Sequence, residues 1–281
     1  MRLARHGTPG AETPLISGPD GVWRDLRPVV DDLTPAALAA APASGWAGID
    51  LDALPVVERS GRFGPPLAGI GKIVCVGLNY RQHAAETGAA VPDEPIVFMK
   101  ASDTVVGPDD RVLIPRGSVK TDYEVELAVV IGREARYLPD TAAAAACVAG
   151  YAISNDVSER EFQLERGGQW DKGKNCETFN PLGPWLLTAD EVPDPQALGL
   201  RLSVNGEPRQ SGHTSDMVFG VFELVRYLSR FMVLRPGDVI NTGTPAGVAL
   251  GLPGTPYLRA GDVVDVEIDG LGRQRQTFEE A

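Results

Sequence analysis

The chain has 281 residues, with 26 Lys and Arg against 38 Asp and Glu, a formal charge of −12 and 43% hydrophobic residues. That length is enough to bury a sizeable core as one large domain, or as a main domain with a small appendage. The acidic balance, without any long basic run, excludes nucleic acid and anionic membrane surfaces as natural partners and favours small molecules.

In chain order, a short strand is predicted at 1–5. Residues 1–10 carry positive charge but run into Gly, Pro and acids, so no secretory signal is read there. A turn follows at Gly18-Pro19-Asp20-Gly21, then a helix with Thr34 as N-cap and Pro35 in its first turn. The Pro- and Gly-rich stretch 61–71 reads as a linker, dividing a small N-terminal segment (1–70) from a main domain (71–281). Strands are predicted at 73–76, 96–99, 111–114, 124–131 and 151–155, and helices at 79–87 (closed by Gly88), 141–148 and 217–231. In the last helix Val218, Val221, Phe222 and Val225 recur at helical spacing. Two similar corners, 234–240 and 258–264, precede strands, and the alternation Val264, Val266, Ile268 before Asp269-Gly270 signals a hairpin. With 32 Gly and 23 Pro punctuating short apolar runs, the fold class is β-rich α+β. The most apolar window, 142–153, is too short to span a bilayer before Asn155 and Asp156. Cys75, Cys147 and Cys176 are odd in number and lack CxxC spacing, so a soluble protein of the reducing cytoplasm is expected. Only His6, His83 and His213 are present, which argues against a multi-histidine metal site.

The segment 122–131 carries the clearest chemistry. Period-2 geometry puts Asp122, Glu124 and Glu126 on one face and Tyr123, Val125 and Leu127 on the other. Taken alone, such acids read first as a solvated strand face or edge-strand charge. Past Glu126, however, both faces are apolar, so the acids stand where the strand enters the core. If the strand ending at Asn155 is its neighbour, Glu124, Glu126 and Asp156 form an all-oxygen site suited to Mg²⁺, Mn²⁺ or Ca²⁺. His83 and Glu86 stand at i and i+3 on a predicted helix, where the carboxylate orients the imidazole and raises its basicity, or where the two form an ordinary surface pair. Lys174, beside Gly173, is either a solvent-facing lysine or a cation steadying an enolate. The loop 241–247 offers N–H and hydroxyl groups to a substrate carboxylate, or is a plain turn. Neither GxGxxG nor GxSxG occurs, so a dinucleotide fold and a serine hydrolase are unsupported. Cys176 has no His nearby and reads as a packed thiol.

Taken together, these residues resemble the fumarylacetoacetate hydrolase family. The resemblance rests on 76–80 (Val-Gly-Leu-Asn-Tyr) with His83 and Glu86, Glu124-x-Glu126, 155–160, Gly173-Lys174 leading into 178–184, and 242–248, in the family's order over residues 72–268. It implies a mixed β-sandwich or roll, usually a homodimer, with Glu124, Glu126 and Asp156 as Mg²⁺ ligands. It also implies His83 and Glu86 as a water-activating dyad on a short lid helix, Lys174 as enolate stabiliser, and Arg160, Gln163 and Thr244 as substrate contacts. Val76 stands where tyrosine-degrading eukaryotic members carry a fourth acidic ligand, so the chain looks like the bacterial branch. The N-terminal residues 1–5, 18–21 and 24–26 and the ending 270–277 look like hydrolases of 2,4-diketo-3-deoxy-L-fuconate and L-rhamnonate.

The reaction this implies is Mg²⁺-dependent hydrolysis of the C–C bond of a 2,4-diketo acid, giving pyruvate and a second acid such as L-lactate. The alternatives are an oxaloacetate decarboxylase or an isomerase or ureidoglycolate-type lyase on the same site, and a binding protein without catalysis.

Overall fold

A computed structural model describes residues 1–41, 45–58 and 61–281. The predicted β-rich α+β architecture forms: two large sheets with few helices. The first sheet has ten strands. From one edge to the other they run Trp23–Asp25, Thr13–Ser17, Arg2–His6, Asn180–Thr188, Val148–Asn155, Val125–Ile131, Val239–Asn241, Ile73–Gly77 and Ile96–Lys100, with Val105–Val106 paired alongside Asn180–Thr188. The second sheet has five, in the order Glu207–His213, Gly199–Val204, Val263–Ile268, Gly272–Glu280 and Val112–Ile114. The hairpin predicted at Asp269-Gly270 joins its third and fourth strands.

Val125–Ile131 is central because it is buried on both faces. Its odd residues, Val125, Leu127, Val129 and Ile131, pack in one cluster with Leu200, Leu202, Val264, Val266 and Ile268 of the second sheet and with the helix Val221–Leu228. Its even residues Ala128 and Val130 face a different cluster, with Ile73, Cys75, Phe98 and Ala152. Alternation therefore assigns Glu126 to the second side. On one flank Glu126 lies opposite Ser154 of Val148–Asn155. On the other, Val239–Asn241 runs antiparallel to it and parallel to Ile73–Gly77. The loops after these last two strands consequently leave the same sheet edge side by side.

Residues 1–70 extend the same sheet, with Arg2 opposite Leu187 and Leu3 opposite Leu186. Thr34 caps the helix Pro35–Ala39 as expected, its Oγ1 accepting from the Ala37 N–H at 3.1 Å. The 61–71 stretch is irregular but packed. Phe63, Leu67 and Ile70 are buried, and Arg62 pairs with Asp110 at 2.6 Å and Glu12 at 2.9 Å.

Three helices are shorter than their sequence pattern indicates. The 217–231 helix is confined to Val221–Leu228, because Gly220 is extended (ψ 160) and the Val218 N–H is taken by the Asn79 carbonyl at 2.8 Å. Its inward face is Val221, Leu224, Val225 and Leu228; Val218 lies outside it and Phe222 only packs at its margin. The 79–87 helix contracts to Arg81–Glu86 because Tyr80 is extended and Asn79 is bonded to Phe219 and Thr242. The third covers Thr141–Ala145, and Val148 already belongs to the following strand.

Gly150 sits at a bulge beside Leu187 and Thr188, where an added Cβ would collide with the Leu187 carbonyl. Gly150→Ala is expected to destabilise the protein by about 1–3 kcal/mol, read as a lower urea midpoint with unchanged slope. An unchanged midpoint would show that these strands part without cost.

Candidate active site

The acids meet through strand pairing. The Asp156 N–H donates to the Glu124 carbonyl at 2.9 Å, and the Glu124 N–H donates to Asn155 Oδ1 at 3.0 Å. Carboxylate oxygens of Glu124, Glu126 and Asp156 then lie within 4.8 Å of one another, all three side chains buried. Asp122 does not complete a row with them. The strand breaks at Tyr123 and Glu124, and Thr121–Asp122 pairs separately with Ser158–Glu159. The Asp122 carboxylate accepts instead from the Ala249 and Leu250 N–H groups at 2.8 and 3.1 Å and from Arg160 Nε at 2.8 Å.

Three buried cations answer these charges. Arg160 also reaches Glu124 Oε1 at 2.6 Å, and Lys174 Nζ lies 2.8 Å from both Glu124 Oε2 and Asp156 Oδ2. Lys174 is delivered by the short helix Asp171–Lys174, which packs on the π-helical turn Glu161–Glu165. Gly173 permits this, since a Cβ there would strike the Glu159 carbonyl and lie 2.6 Å from Gln163 Cβ. Lys100 Nζ holds Asp156 Oδ1 and the Val157 carbonyl. Sequence reading missed Lys100, although Phe98 and Lys100 share one strand face and a lysine closing the apolar run 96–99 could have been flagged. The lysines are therefore not solvent-facing.

Glu126 is different. Its bonded partner is the Gly243 N–H at 2.7 Å, and no lysine or arginine pairs with it among the described residues. Burial and the charges of Asp156 and Glu124 push its pKa well above 4.5. At Glu124 burial acts the same way, but Lys174 and Arg160 outweigh it and hold the pKa down to about 2. Three clustered carboxylates, one lacking a cationic partner, with no Cys or His donor, fit a hard divalent cation.

His83 and Glu86 form a pair, His83 Nδ1 to Glu86 Oε1 at 2.7 Å. The second carboxylate oxygen, Oε2, accepts from the Gly247 N–H at 2.8 Å, and a Cβ on Gly251 would come within 2.7 Å of it. An Nδ1–H donated to the carboxylate leaves Nε2 with its lone pair. The 241–247 loop thus serves neither as a plain turn nor as a free anion cradle. Its Gly243 and Gly247 N–H groups hold the site's own carboxylates, while Thr242 and Thr244 hydroxyls donate to the Leu127 and Val125 carbonyls at 2.8 and 2.9 Å.

A cavity of about 260 Å³ brings His83, Glu124, Glu126, Arg160, Gln163, Lys174 and Thr244 to one surface. Gln163 accepts from Arg160 at 3.0 Å, and Gln210, unremarkable in the sequence, ties Thr244 Oγ1 to the Val125 N–H. Glu86 stands behind His83, and Asp156 behind the two lysines. No helix among the described residues is long and apolar enough to cross a membrane.

Two packed sheets bring a carboxylate cluster, a His–Glu pair and buried lysines to one place, a candidate active site on a β-rich fold. The family model described as fumarylacetoacetate (FAA) hydrolase C-terminal matches residues 72–279, and the chain belongs to that family. Over 277 residues, 98% of each chain, it is 52% identical to a Burkholderia multivorans protein provisionally named a hydrolase. Among solved structures, the fumarylacetoacetate hydrolase of Exiguobacterium antarcticum superposes with a TM-score of 0.88 at 34% identity, all of both chains being covered. A 2-hydroxyhepta-2,4-diene-1,7-dioate isomerase from Mycobacterium marinum gives 0.75 at 32% identity, covering all of this chain and 98% of that one.

The raised pKa of Glu126 means that its ionisation opposes folding. Its favourable contribution is complete below the unfolded value near 4.5 and is lost as pH rises through the folded value. Glu124 behaves oppositely, stabilising above the unfolded value and losing that effect as pH falls through about 2. Glu126→Gln is therefore expected to raise the melting temperature at pH 7 in chelator by roughly 2–4 °C. A lower melting temperature in chelator would refute this charge balance.

Proposed function

We propose that the protein hydrolyses the C3–C4 bond of a 2,4-diketo acid of the acylpyruvate type, with Glu124, Glu126 and Asp156 holding Mg²⁺. The observation that carries this reading is a carboxylate-oriented imidazole and a buried ammonium lining one cavity with the acid cluster. A divalent cation there would polarise the 2-oxo group and offset charge on the departing fragment. His83 Nε2 takes a proton from water, Glu86 stabilising the resulting imidazolium. The water oxygen bonds to C4, the C3–C4 bond breaks, and its electron pair passes into the enolate of pyruvate. The Lys174 ammonium neutralises that enolate until C3 takes up the proton that His83 removed from water, which restores the neutral imidazole. Arg160 and Gln163 orient the pyruvate end. Thr244 lines the same wall, but its hydroxyl hydrogen is committed to the Val125 carbonyl, so it positions the loop. The reading extends to a homodimer and to 2,4-diketo-3-deoxy-L-fuconate or L-rhamnonate as candidate substrates.

A solved relative is named as an isomerase, which supports a second reading, in which the same dyad moves a proton between carbons of an unsaturated 2-oxo acid. Product analysis separates the two. Incubation of acylpyruvates with Mg²⁺ should release pyruvate and the free acid, and chelator should stop it. His83→Ala should lower kcat/KM by about 10²- to 10⁴-fold. Double-bond migration without pyruvate would replace hydrolysis with isomerisation.

A further inference from the structure

Apart from the polar groups named above and Thr87, the cavity is lined by apolar residues. Val76, Leu78, Ala89, Phe98, Leu164, Trp170 and Leu250 make up most of the remaining wall. Three features show that this wall is built. Trp170 lies over Gly77, where any Cβ would collide with the indole, and it meets Phe98 edge-on at 5.5 Å between ring centres. Leu78 is held at φ 52, a left-handed conformation that a leucine adopts only when its surroundings impose it. Leu164 is 43% exposed, on the π-helical turn that also turns Gln163 inward, so an apolar side chain stands free at the mouth.

The charge inventory is equally one-sided. The cations lining the cavity are Arg160 and Lys174, and both are already bonded to Asp122, Glu124 or Asp156. A carboxylate carried at the far end of a substrate would meet Trp170, Leu164 and Leu250, with no lysine or arginine in the lining beyond those two among the described residues. Desolvating it there without a partner is unfavourable. The cavity, about 260 Å³, also suits a ligand smaller than a drug-sized one.

We infer that the group on the far side of the scissile bond is uncharged, and that Trp170 and Leu164 select it. The inference rests on the keto-acid reading above, and it separates this chain from relatives named for dioates. Trp170 and Leu164 are specificity-determining contacts.

Length-matched 2-oxo acids test this by binding, independently of turnover. Titration of the Mg²⁺-loaded full chain with 2-oxohexanoate and with 2-oxoadipate, followed by calorimetry, should give at least about tenfold tighter binding of the monoacid. Leu164→Arg, at an exposed position, should narrow or invert that ratio. Trp170→Ala should weaken 2-oxohexanoate more than it weakens pyruvate itself. Equal or tighter binding of 2-oxoadipate by the natural chain would overturn the inference, as would the absence of binding by either acid. Selective binding of the monoacid without pyruvate release from any acylpyruvate would sustain it and instead remove the hydrolase reading.

Discussion

Everything at this site depends on the electrostatics of burying carboxylates. Asp122, Glu124, Glu126 and Asp156 are taken out of water together, and Arg160, Lys174 and Lys100 are buried with them. Isolated charges in such surroundings would be prohibitive, whereas a network with paired hydrogen bonds is sustainable. The pairing also explains the architecture. Lys174 must arrive on its own short helix, Arg160 from the strand end after Asp156, and Lys100 from the sheet edge. The neighbouring parallel strands Ile73–Gly77 and Val239–Asn241 are needed to bring the His83 helix and the Gly243 loop to the same place.

The polar groups behind the acids do equivalent work on the backbone. Asn155, Gln210 and Asn79 satisfy N–H and carbonyl groups where the strands stop, and their own remaining atoms are bonded to Gln276, Thr244, Pro245 and Phe219. Buried amides used this way set one arrangement of the loops and penalise others.

Much of this was readable from residue order, for identifiable reasons. Strict alternation predicted that Glu124 and Glu126 share a face, and the predicted neighbour strand delivered Asp156. Helical spacing predicted the His83–Glu86 bond. What residue order concealed were interactions between distant segments. Asp122 obeys the same period as Glu124, yet the break at Tyr123 sends it to Arg160 and the 249–250 backbone. Lys100 looks like the end of a strand until Asp156 is placed beside it. The Met217–Phe231 pattern overran because periodicity cannot register that Asn79, far away in sequence, captures the Val218 N–H. The anion cradle expected at 241–247 failed likewise, since its donors were engaged by Glu126 and Glu86, residues that local sequence could not bring near.

The Gly247 N–H bond to Glu86, together with the close approach of Gly251, carries a consequence for the energetics of each catalytic cycle. The helix bearing His83 is docked through its own orienting carboxylate, and Arg81 fastens its other end to the Met217 carbonyl at 2.6 Å. The entropy of aligning imidazole with carboxylate is thus expended once, when the chain folds, and is not charged again to every substrate molecule.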